Sequence, residues 1–567
     1  MRAIILIVSL FLLSCAANRT GRVCNDVPAE RYEGGWHHLS PDDTGVYGAA
    51  IDNAHAAARG MRQSRRPVTV ALIGYGIDVE HEAIENAIWV NPRAGRSGRR
   101  DMHGWNFLGN DTVTLDRISR EGDREYFRLR DRYDHYVILT GDGKAYGVDP
   151  VTGAPVELEI PADREELDYF FNTVLPESVT AELYRALPLS RLVVWLMRDA
   201  DRRMREQFPD RQLTVQDFRA LFRNPEQVTP FEKRLFVFAD LMVSITGSES
   251  WDDVLRYMDM TFMPFQEREY QRGLRIGPPR DRELIGDDPY DLDDRDYGSP
   301  NLMAENAGFG SMLAGIIGAD RRGGRMRGIS DNVRIMTLRV DAGERDESYT
   351  KDVALAIRYA VDNGAQIIQL GKTNTLYPRP HSQWVDDALR YAESKGVLVV
   401  IPMMDYSYDL DIQPFYPRRH TRDGRELTNV ITVAASDSLG NSYKWANFSA
   451  TQLDIFAPGV EILSSHTDGR YAFASGSAFA AAVVTGTAAL IKDYYPWITP
   501  AQMRKLLMDN VTPRGDAEVE KQFYFYAEGQ APRIITDLFL FSELSASGGI
   551  LNAERAFKAA ASLRRQQ

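Results

Sequence analysis

Short apolar runs alternate with amphipathic segments over much of this chain. Runs of mostly apolar residues predict buried strands at residues 68–73, 333–338, 367–368, 397–401 and 430–433. The segments TKDVALAIRYAVDNG and QWVDDALRYAESKG have helical spacing, and each ends in a glycine. Repeated β–α units of this kind predict an α/β fold, in which helices cover both faces of a parallel sheet.

Residues 111–285 have a different pattern of apolar and charged residues. Within them, residues 136–149 place a Gly-Asp-Gly turn between two β-prone pieces and predict a hairpin. Beyond Pro161, large apolar residues recur every three or four positions with charges between them, which predicts helices with one buried face. We interpret residues 111–285 as a large, mainly helical insertion. It separates two parts of one domain, residues 44–110 and residues 286–567.

The amino terminus has the pattern of a secretion signal. Residues 1–14 place one positive charge before an apolar run that ends in small residues, and the run is too short to remain as a membrane span. The following sequence, Leu-Leu-Ser-Cys, resembles the bacterial lipobox, which implies cleavage before Cys15 and a diacylglycerol on its thiol. The alternative is a plain signal peptide with an incidental cysteine. Residues 15–43 are polar and irregular, so we predict a tether.

The residues around the predicted anchor bear on location and redox chemistry. Ala16 and Ala17 lack the acidic residue that often retains such lipoproteins in the inner membrane, so we expect an outer-membrane lipoprotein of the bacterial cell envelope. With Cys15 lipidated, Cys24 is the one thiol left, and no intramolecular disulfide framework is expected.

Composition and charge narrow the classes of partner. The 567 residues are 44% hydrophobic and 26% charged, which is ordinary for a globular protein. A formal net charge of −13 argues against a nucleic-acid partner, because such proteins present a basic surface. A protein or peptide partner is compatible with this charge. The membrane is expected to be reached through the lipid on Cys15, and the oligomeric state is open.

Several blocks, in the same order, resemble the subtilases, peptidase family S8. Residues 70–78, VALIGYGID, are similar to the first catalytic block of that family, V-A-V-I-D-T-G-I-D. Residues 308–315, GFGSMLAG, resemble the second block, G-H-G-T-H-V-A-G, and residues 476–486 resemble the third. Residues 328–340 and 548–556 follow the family pattern as well. The resemblance implies a subtilisin-like parallel sheet flanked by helices, with the insertion between the first two blocks.

The side chains that perform the chemistry of this family are absent from the matching positions. Subtilases use an aspartate to orient a histidine, which takes the proton from an attacking serine. The matching residues here are Gly74, Phe309 and Ala478. In subtilisin, loss of the serine or the histidine alone costs about a million-fold in kcat. The resemblance therefore implies an inactive member, a pseudoprotease.

The oxyanion donor of the family is replaced too. Asp405 stands where subtilases have an asparagine. An ionised carboxylate about 4 Å from an oxyanion would repel it by about 4 kcal/mol at an effective dielectric constant of about 20. A protonated Asp405 could donate a hydrogen bond, but position 478 supplies no nucleophile. We assign the neighbouring Ser477 to a helix cap and Asp78 to a turn.

Apolar residues at the matched cleft leave two interpretations open. Either the apolar side chains fill the former substrate cleft and stabilise the fold, or they line an adaptable pocket for a peptide or a lipid-like group. We favour filling. If the groove still binds a peptide by β-addition, the candidate binding residues are Gly371, Lys372, Met403 and Met404.

We expect no metal and no cofactor. The acidic residues between 287 and 294 could gather Ca²⁺, but a solvated acidic loop explains them more simply, and their spacing fits no EF-hand.

Three functional hypotheses follow. The first is a non-catalytic subtilase-like lipoprotein that binds a protein or peptide in the cell envelope. The second is a serine endopeptidase with a displaced catalytic apparatus. The third is a structural envelope component that binds partners through the helical insertion.

Overall fold

The structure, a computed structural model, describes residues 35–94, 100–223, 228–322, 324–343, 347–376, 378, 381–525 and 533–563. These residues form two compact units. The insertion unit is Glu121–Pro279. The sheet unit consists of the described residues up to Arg120 and from Arg280 onward.

The strands are, in chain order, β1 Val68–Gly74, β2 Gly104–Asn106, β3 Ile138–Leu139, β4 Ala145–Val148, β5 Pro155–Leu158, β6 Val333–Arg339, β7 Ile367–Leu370, β8 Leu398–Pro402, β9 Val430–Ser436, β10 Ile455–Pro458, β11 Ile462–Ser465, β12 Tyr471–Ala474, β13 Thr512–Pro513, β14 Glu518–Phe525, β15 Arg533–Leu540 and β16 Gly549–Ile550.

The α-helices are α1 Pro41–Thr44, α2 Ile51–Ala57, α3 Glu121–Tyr133, α4 Arg164–Tyr169, α5 Leu175–Glu177, α6 Val179–Gln207, α7 Val215–Leu221, α8 Pro230–Thr246, α9 Trp251–Tyr257, α10 Met263–Gly273, α11 Ala307–Gly318, α12 Thr350–Asp362, α13 Ser382–Ser394, α14 Ser477–Tyr494, α15 Pro500–Asp509 and α16 Ala553–Ala560.

The sheet unit is built on a nine-stranded sheet in the order β13-β16-β10-β9-β8-β7-β1-β6-β2. Its neighbouring strands are parallel except for the antiparallel pair of β13 with β16. β1 lies between β6 and β7, so its alternate side chains enter two hydrophobic clusters, one on each face of the sheet. Burial on both faces explains why β1 is a continuous apolar run. The predicted α/β class, a parallel sheet flanked by helices, is confirmed.

Helix α14 has no exposed face. Its residues from Ser477 to Ile491 are buried without a break, and small alanines and glycine let it pass close to its neighbours. It packs against β9 and against α11. Since a helix that is apolar all round must be enclosed, the AAAVVTGTAAL run is explained by its central position in the core.

The insertion unit has its own core. Its helices bury Tyr126, Phe170, Phe218 and Trp251 completely, and Trp251 stacks on Phe218 with ring centroids 4.7 Å apart. A three-stranded antiparallel sheet in the order β3-β4-β5 accompanies the helices. The predicted hairpin corresponds to β3 and β4.

The end of the predicted tether is folded. Residues 15–34 lie outside the described residues, but His37 and His38 are each at most 2% exposed. The indole of Trp36 donates to the carbonyl of Val460 at 3.1 Å, and the amide of Ala49 donates to the carbonyl of His37 at 2.9 Å. The prediction of a tether up to residue 43 was therefore wrong for residues 35–43, because their polar rings are buried against the core.

In the part of the chain that the structure describes, no helix combines the length and the hydropathy needed to cross a membrane.

Candidate functional site

The first degenerate position, Gly74, lies at the carboxyl end of the central strand β1. Its carbonyl accepts hydrogen bonds from the amides of Val340 and Asp341, at 2.7 and 2.9 Å. On the other side, the amide of Gly371 donates to the carbonyl of Ile73 at 2.7 Å. This is the edge of a parallel sheet at which ligands and catalytic groups meet in α/β proteins.

A carboxylate occupies the space beside Gly74, but it belongs to another residue. An ideal Cβ at position 74 would lie 3.2 Å from Oδ2 of Asp341 and 3.1 Å from Cα of Gly371. Asp341 is buried, its Oδ1 accepts a hydrogen bond from Ser348, and the ammonium of Lys372 lies 3.3 Å away. The carboxylate is thus held by a cation and a hydroxyl.

Phe309 and its two aromatic neighbours form what we call the aromatic cluster: Tyr75, Phe309 and Phe479. The ring centroid of Phe309, on α11, is 4.6 Å from that of Tyr75 and 4.9 Å from that of Phe479. Because Tyr75 follows Gly74 and Phe479 follows Ala478, the cluster joins the three degenerate positions. Its rings lie where the matched family places a proton-accepting imidazole.

Residues 308 and 466 are also in close contact. A Cβ at Gly308 would lie 2.4 Å from Nε2 of His466, so the imidazole packs directly on this glycine. The hydroxyl of Thr467 lies 3.2 Å from Nδ1 of the same ring. Burial lowers the pKa of His466, and the nearby Arg470 adds to the effect. This imidazole is bonded to a threonine hydroxyl.

Ala478, which the sequence analysis matches to the nucleophile, lies in the first turn of α14. It is 7% exposed, and its backbone carbonyl accepts a hydrogen bond from the side-chain amide of Gln369 at 3.1 Å. The side chain of Ala478 is a methyl group, which cannot attack a carbonyl.

Asp405 caps the helix that begins beside it. Its Oδ2 accepts the backbone N–H of Ser477 at 2.8 Å, and its Oδ1 accepts the hydroxyl of Ser477 at 2.7 Å. The same hydroxyl accepts the amide of Ala435 at 3.2 Å. Ser477 was predicted to be the cap; the structure corrects this, because Ser477 is the first helical residue and the carboxylate of Asp405 supplies the capping oxygen.

A lysine from the hairpin formed by β14 and β15 interacts electrostatically with Asp405. Lys521, on β14, is fully buried and donates to the carbonyls of Ala446 and Tyr443 at 2.7 and 3.3 Å. Burial lowers its pKa to about 7, against the opposing attraction of Asp405. Burial raises the pKa of Asp405, and the hydrogen bonds from Ser477 and the charge of Lys521 oppose that rise.

The four candidate binding residues follow two neighbouring parallel strands, β7 and β8, at the same end of the sheet. Met403 is 1% exposed, and its carbonyl accepts the side-chain amide of Asn447 at 2.7 Å. Met404 has a left-handed φ of 61°, a conformation that glycine adopts more easily. Gly371 pairs with β1, and Lys372 is turned toward Asp341. These four residues do not form a common open surface.

Asp78 and the acidic loop are explained by internal contacts. Asp78 accepts the amides of Glu80 and Asp468 at 3.2 and 3.0 Å, as expected of a turn residue. Asp287 is buried between Arg282 and Lys351 and pairs with both. Among the described residues, no group of three or more potential ligands is arranged to hold a metal ion.

Comparison with known proteins identifies the family. The model of the subtilase family, Peptidase_S8, matches residues 65–525. The chain belongs to this family. It is 33% identical over 204 residues to a thermophilic serine proteinase of Bacillus sp. (strain AK1), covering 36% of this chain and 46% of that protein.

Two further relatives are an alkaline protease of Alkalihalobacillus alcalophilus and Subtilisin Savinase of Lederbergia lenta. Each is 28% identical over 222 residues, which is 39% of this chain. The match covers 54% of the alkaline protease and 76% of Savinase. The chain thus spans about half the length of the first two relatives.

Three residues of the site were not found by sequence reasoning: Asp341, His466 and Lys521. Asp341 comes shortly after the predicted strand at residues 333–338. A polar residue just beyond the carboxyl end of a buried strand is a candidate site residue, so the sequence did contain a signal for Asp341. His466 and Lys521 are distant from the matched blocks, and the sequence carries no local signal for their position.

Proposed function

We propose that this protein is a non-catalytic subtilase-family lipoprotein that acts by binding a protein or peptide in the bacterial cell envelope. The observation that carries the proposal is the aromatic cluster, which packs a phenyl ring between the positions of the missing aspartate and the missing serine. Peptide hydrolysis by this family's chemistry needs a proton acceptor and a hydroxyl at these positions, and they hold a phenyl ring and a methyl group.

The surroundings of the cleft support the same proposal. The carboxylate nearest to position 74 is paired with Lys372, and the carboxylate at the oxyanion position is bonded to the start of α14. Both carboxylates are thus bound by groups of the protein itself. The serine beside Ala478 donates its hydroxyl to Asp405 and accepts the backbone amide of Ala435, so these contacts hold it at the start of α14.

A direct test uses casein hydrolysis and fluorophosphonate labelling of the purified protein. We expect no hydrolysis above background and no stoichiometric serine adduct by intact-mass spectrometry, while a known serine protease is labelled in parallel. Casein hydrolysis that disappears when one of the chain's own serines is changed to alanine would instead establish the displaced endopeptidase.

The anchor is a separate part of the proposal, and it rests on residues 1–17. We expect the protein to fractionate with outer membranes and to carry a diacylglycerol on Cys15 after removal of residues 1–14. A Cys15→Ser variant should lose both the lipid mass and the membrane association, whereas a Cys24→Ser variant should keep both. Equal membrane association of the two variants would refute the lipid anchor.

A further inference from the structure

A groove in the sheet unit is distinct from the degenerate catalytic positions. Its cavity volume is about 660 Å³, and its walls come from β2, from the segment around Leu292–Tyr297, and from helices α12 and α13. The groove runs along α12 from Leu355 to Asp362, and on its other side Trp105 of β2 pairs with Leu338 near the carboxyl end of β6. Gly74, Phe309 and Ala478 are not among its lining residues. A volume of this size falls within the range of small-molecule sites.

Flat and apolar side chains form most of the groove wall. Trp105, Phe107, Tyr297 and Leu355 are buried, and Tyr359 and Tyr391 are half-buried along the rim. Aromatic rings prefer to pack against other rings in offset or edge-to-face arrangements. The wall is therefore suited to a planar, apolar group.

The groove also contains an uncompensated cation. Arg358 is half-buried, its guanidinium lies 5.4 Å from the ring centroid of Tyr391, and it has no hydrogen bond or ion pair among the described residues. The one carboxylate in the wall, that of Asp362, accepts the hydroxyl of Tyr391 at 2.6 Å. The second arginine, Arg295, is half-exposed and donates to the carbonyl of Leu292 at 3.0 Å.

We propose that this groove binds a planar aromatic group that carries a carboxylate. A half-buried guanidinium without an anion has lost part of its hydration and has gained only a weak cation–π contact in return. A carboxylate would give it two parallel, charge-assisted hydrogen bonds. The ring of the ligand would lie against Trp105 and the tyrosines while its carboxylate pairs with Arg358.

Two sources can supply this chemistry: a free aromatic acid, or a peptide whose last residue is aromatic. Both place a carboxylate within a few bonds of a planar ring. They differ in the chain that continues away from the ring, which exists in the peptide and is missing in the free acid.

Isothermal titration of the full-length protein tests the proposal with defined probes. The charged probes are 2-naphthoate and the tripeptide Gly-Gly-Trp, and their neutral counterparts are 2-naphthamide and Gly-Gly-Trp amide. We expect at least one charged probe to bind about 10-fold or more tightly than its amide. Tighter binding of Gly-Gly-Trp indicates a peptide carboxyl terminus, and tighter binding of 2-naphthoate indicates a free aromatic acid.

Variants locate the binding at the groove. Arg358→Gln should weaken the charged probe about 10-fold and leave the amide unchanged. Arg334→Gln is the matched control, because Arg334 is also half-buried, has no ion pair to any residue that the structure describes, and lies outside the groove. The proposal is overturned if neither charged probe binds, if acid and amide bind equally, or if the two variants behave alike.

Discussion

The carboxylate of Asp405 accepts both the backbone amide and the hydroxyl of Ser477, at 2.8 and 2.7 Å. Asp405, which the sequence analysis matches to the oxyanion position of subtilases, serves as the amino-terminal cap of α14. A negative charge at this helix end is favourable, because the unpaired N–H groups and the helix dipole both point toward it.

This pairing gives a first prediction. Asp405→Ala leaves two buried donors without an acceptor, so we expect the free energy of unfolding to fall by about 2–4 kcal/mol. Asp405→Asn keeps one acceptor and removes a buried charge whose pKa is raised by burial, so its loss should be smaller. Denaturant titration measures both. Asp516→Asn, an exposed aspartate, is the control, and an Asp405→Ala protein as stable as this control would contradict the capping role.

The aromatic cluster gives a second prediction. Phe309→Ala should lower the free energy of unfolding by about 2–3 kcal/mol, because a half-buried ring packed against Tyr75 and Phe479 is lost and a cavity remains. Phe309→Leu keeps most of the volume and should cost less than about 1.5 kcal/mol. If both variants have the same free energy of unfolding as the unmodified protein in denaturant titration, the ring of Phe309 does not contribute to the packing.

His37 gives a prediction for acid pH. Neither ring nitrogen has a hydrogen-bond partner among the described residues, and burial, with Arg327 nearby, lowers its pKa from 6.5 to about 3. Between these values the unfolded chain binds a proton that the folded chain excludes. Stability is therefore intact above pH 6.5 and falls as the pH drops toward 3, by at most about 1.4 kcal/mol per pH unit for this one group.

The test compares His37→Phe with the unmodified protein by denaturant titration and by hydrogen exchange of residues 36–39. Phenylalanine fills the same space without a titrating nitrogen, so the variant should lose less stability between pH 6.5 and 4. His135→Phe, at an exposed histidine, should retain the original pH dependence. Parallel curves for all three proteins would show that His37 has the same protonation in the folded and the unfolded chain, and this would contradict the prediction.

Lys521 gives a prediction on the alkaline side. Its pKa falls from 10.5 to about 7 on burial, so between these values the unfolded chain holds one more proton than the folded chain. Stability should rise with pH across this window, by up to about 1.4 kcal/mol per unit, and the full penalty should persist below pH 7.

Lys521→Met removes the titrating group while keeping a similar length. We expect the variant to show a flatter stability curve from pH 7 to 10 than the unmodified protein, as measured by denaturant titration. Lys505→Met, at an exposed lysine, should keep the original slope. An unchanged slope in Lys521→Met would mean that the buried ammonium is not the source of the pH dependence.

Several features were accessible from local sequence. The apolar runs predicted β1 and β6 through β9, because a strand buried on both faces leaves no place for polar side chains. The ordered blocks predicted the subtilase family, which the family model confirms. The substitutions at Gly74, Phe309 and Ala478 follow from reading the blocks residue by residue, and the loss of activity they imply stays a prediction.

Other features were hidden by polar composition. Residues 35–43 contain two histidines, a serine and two aspartates, so they were predicted to be tether, yet His37 and His38 are buried. Burial of neutral imidazoles depends on what surrounds them. The hydropathy pattern does not show which distant residues surround a side chain. Here the neighbours of residues 36–38 include Arg327 and Val460, which are far away in the sequence.

By itself, the sequence determined membership of the subtilase family, and it predicts that Gly74, Phe309 and Ala478 stand at the three catalytic positions, without a carboxylate, imidazole or hydroxyl. The tertiary structure alone decided that Asp341 fills the space beside Gly74, that Asp405 caps the helix of Ser477, and that Lys521 is buried near Asp405. The reason is physical. The identity of a side chain is covalent and local, whereas its partner, its burial and its proton affinity are set by segments that meet only when the sheet and its helices pack together.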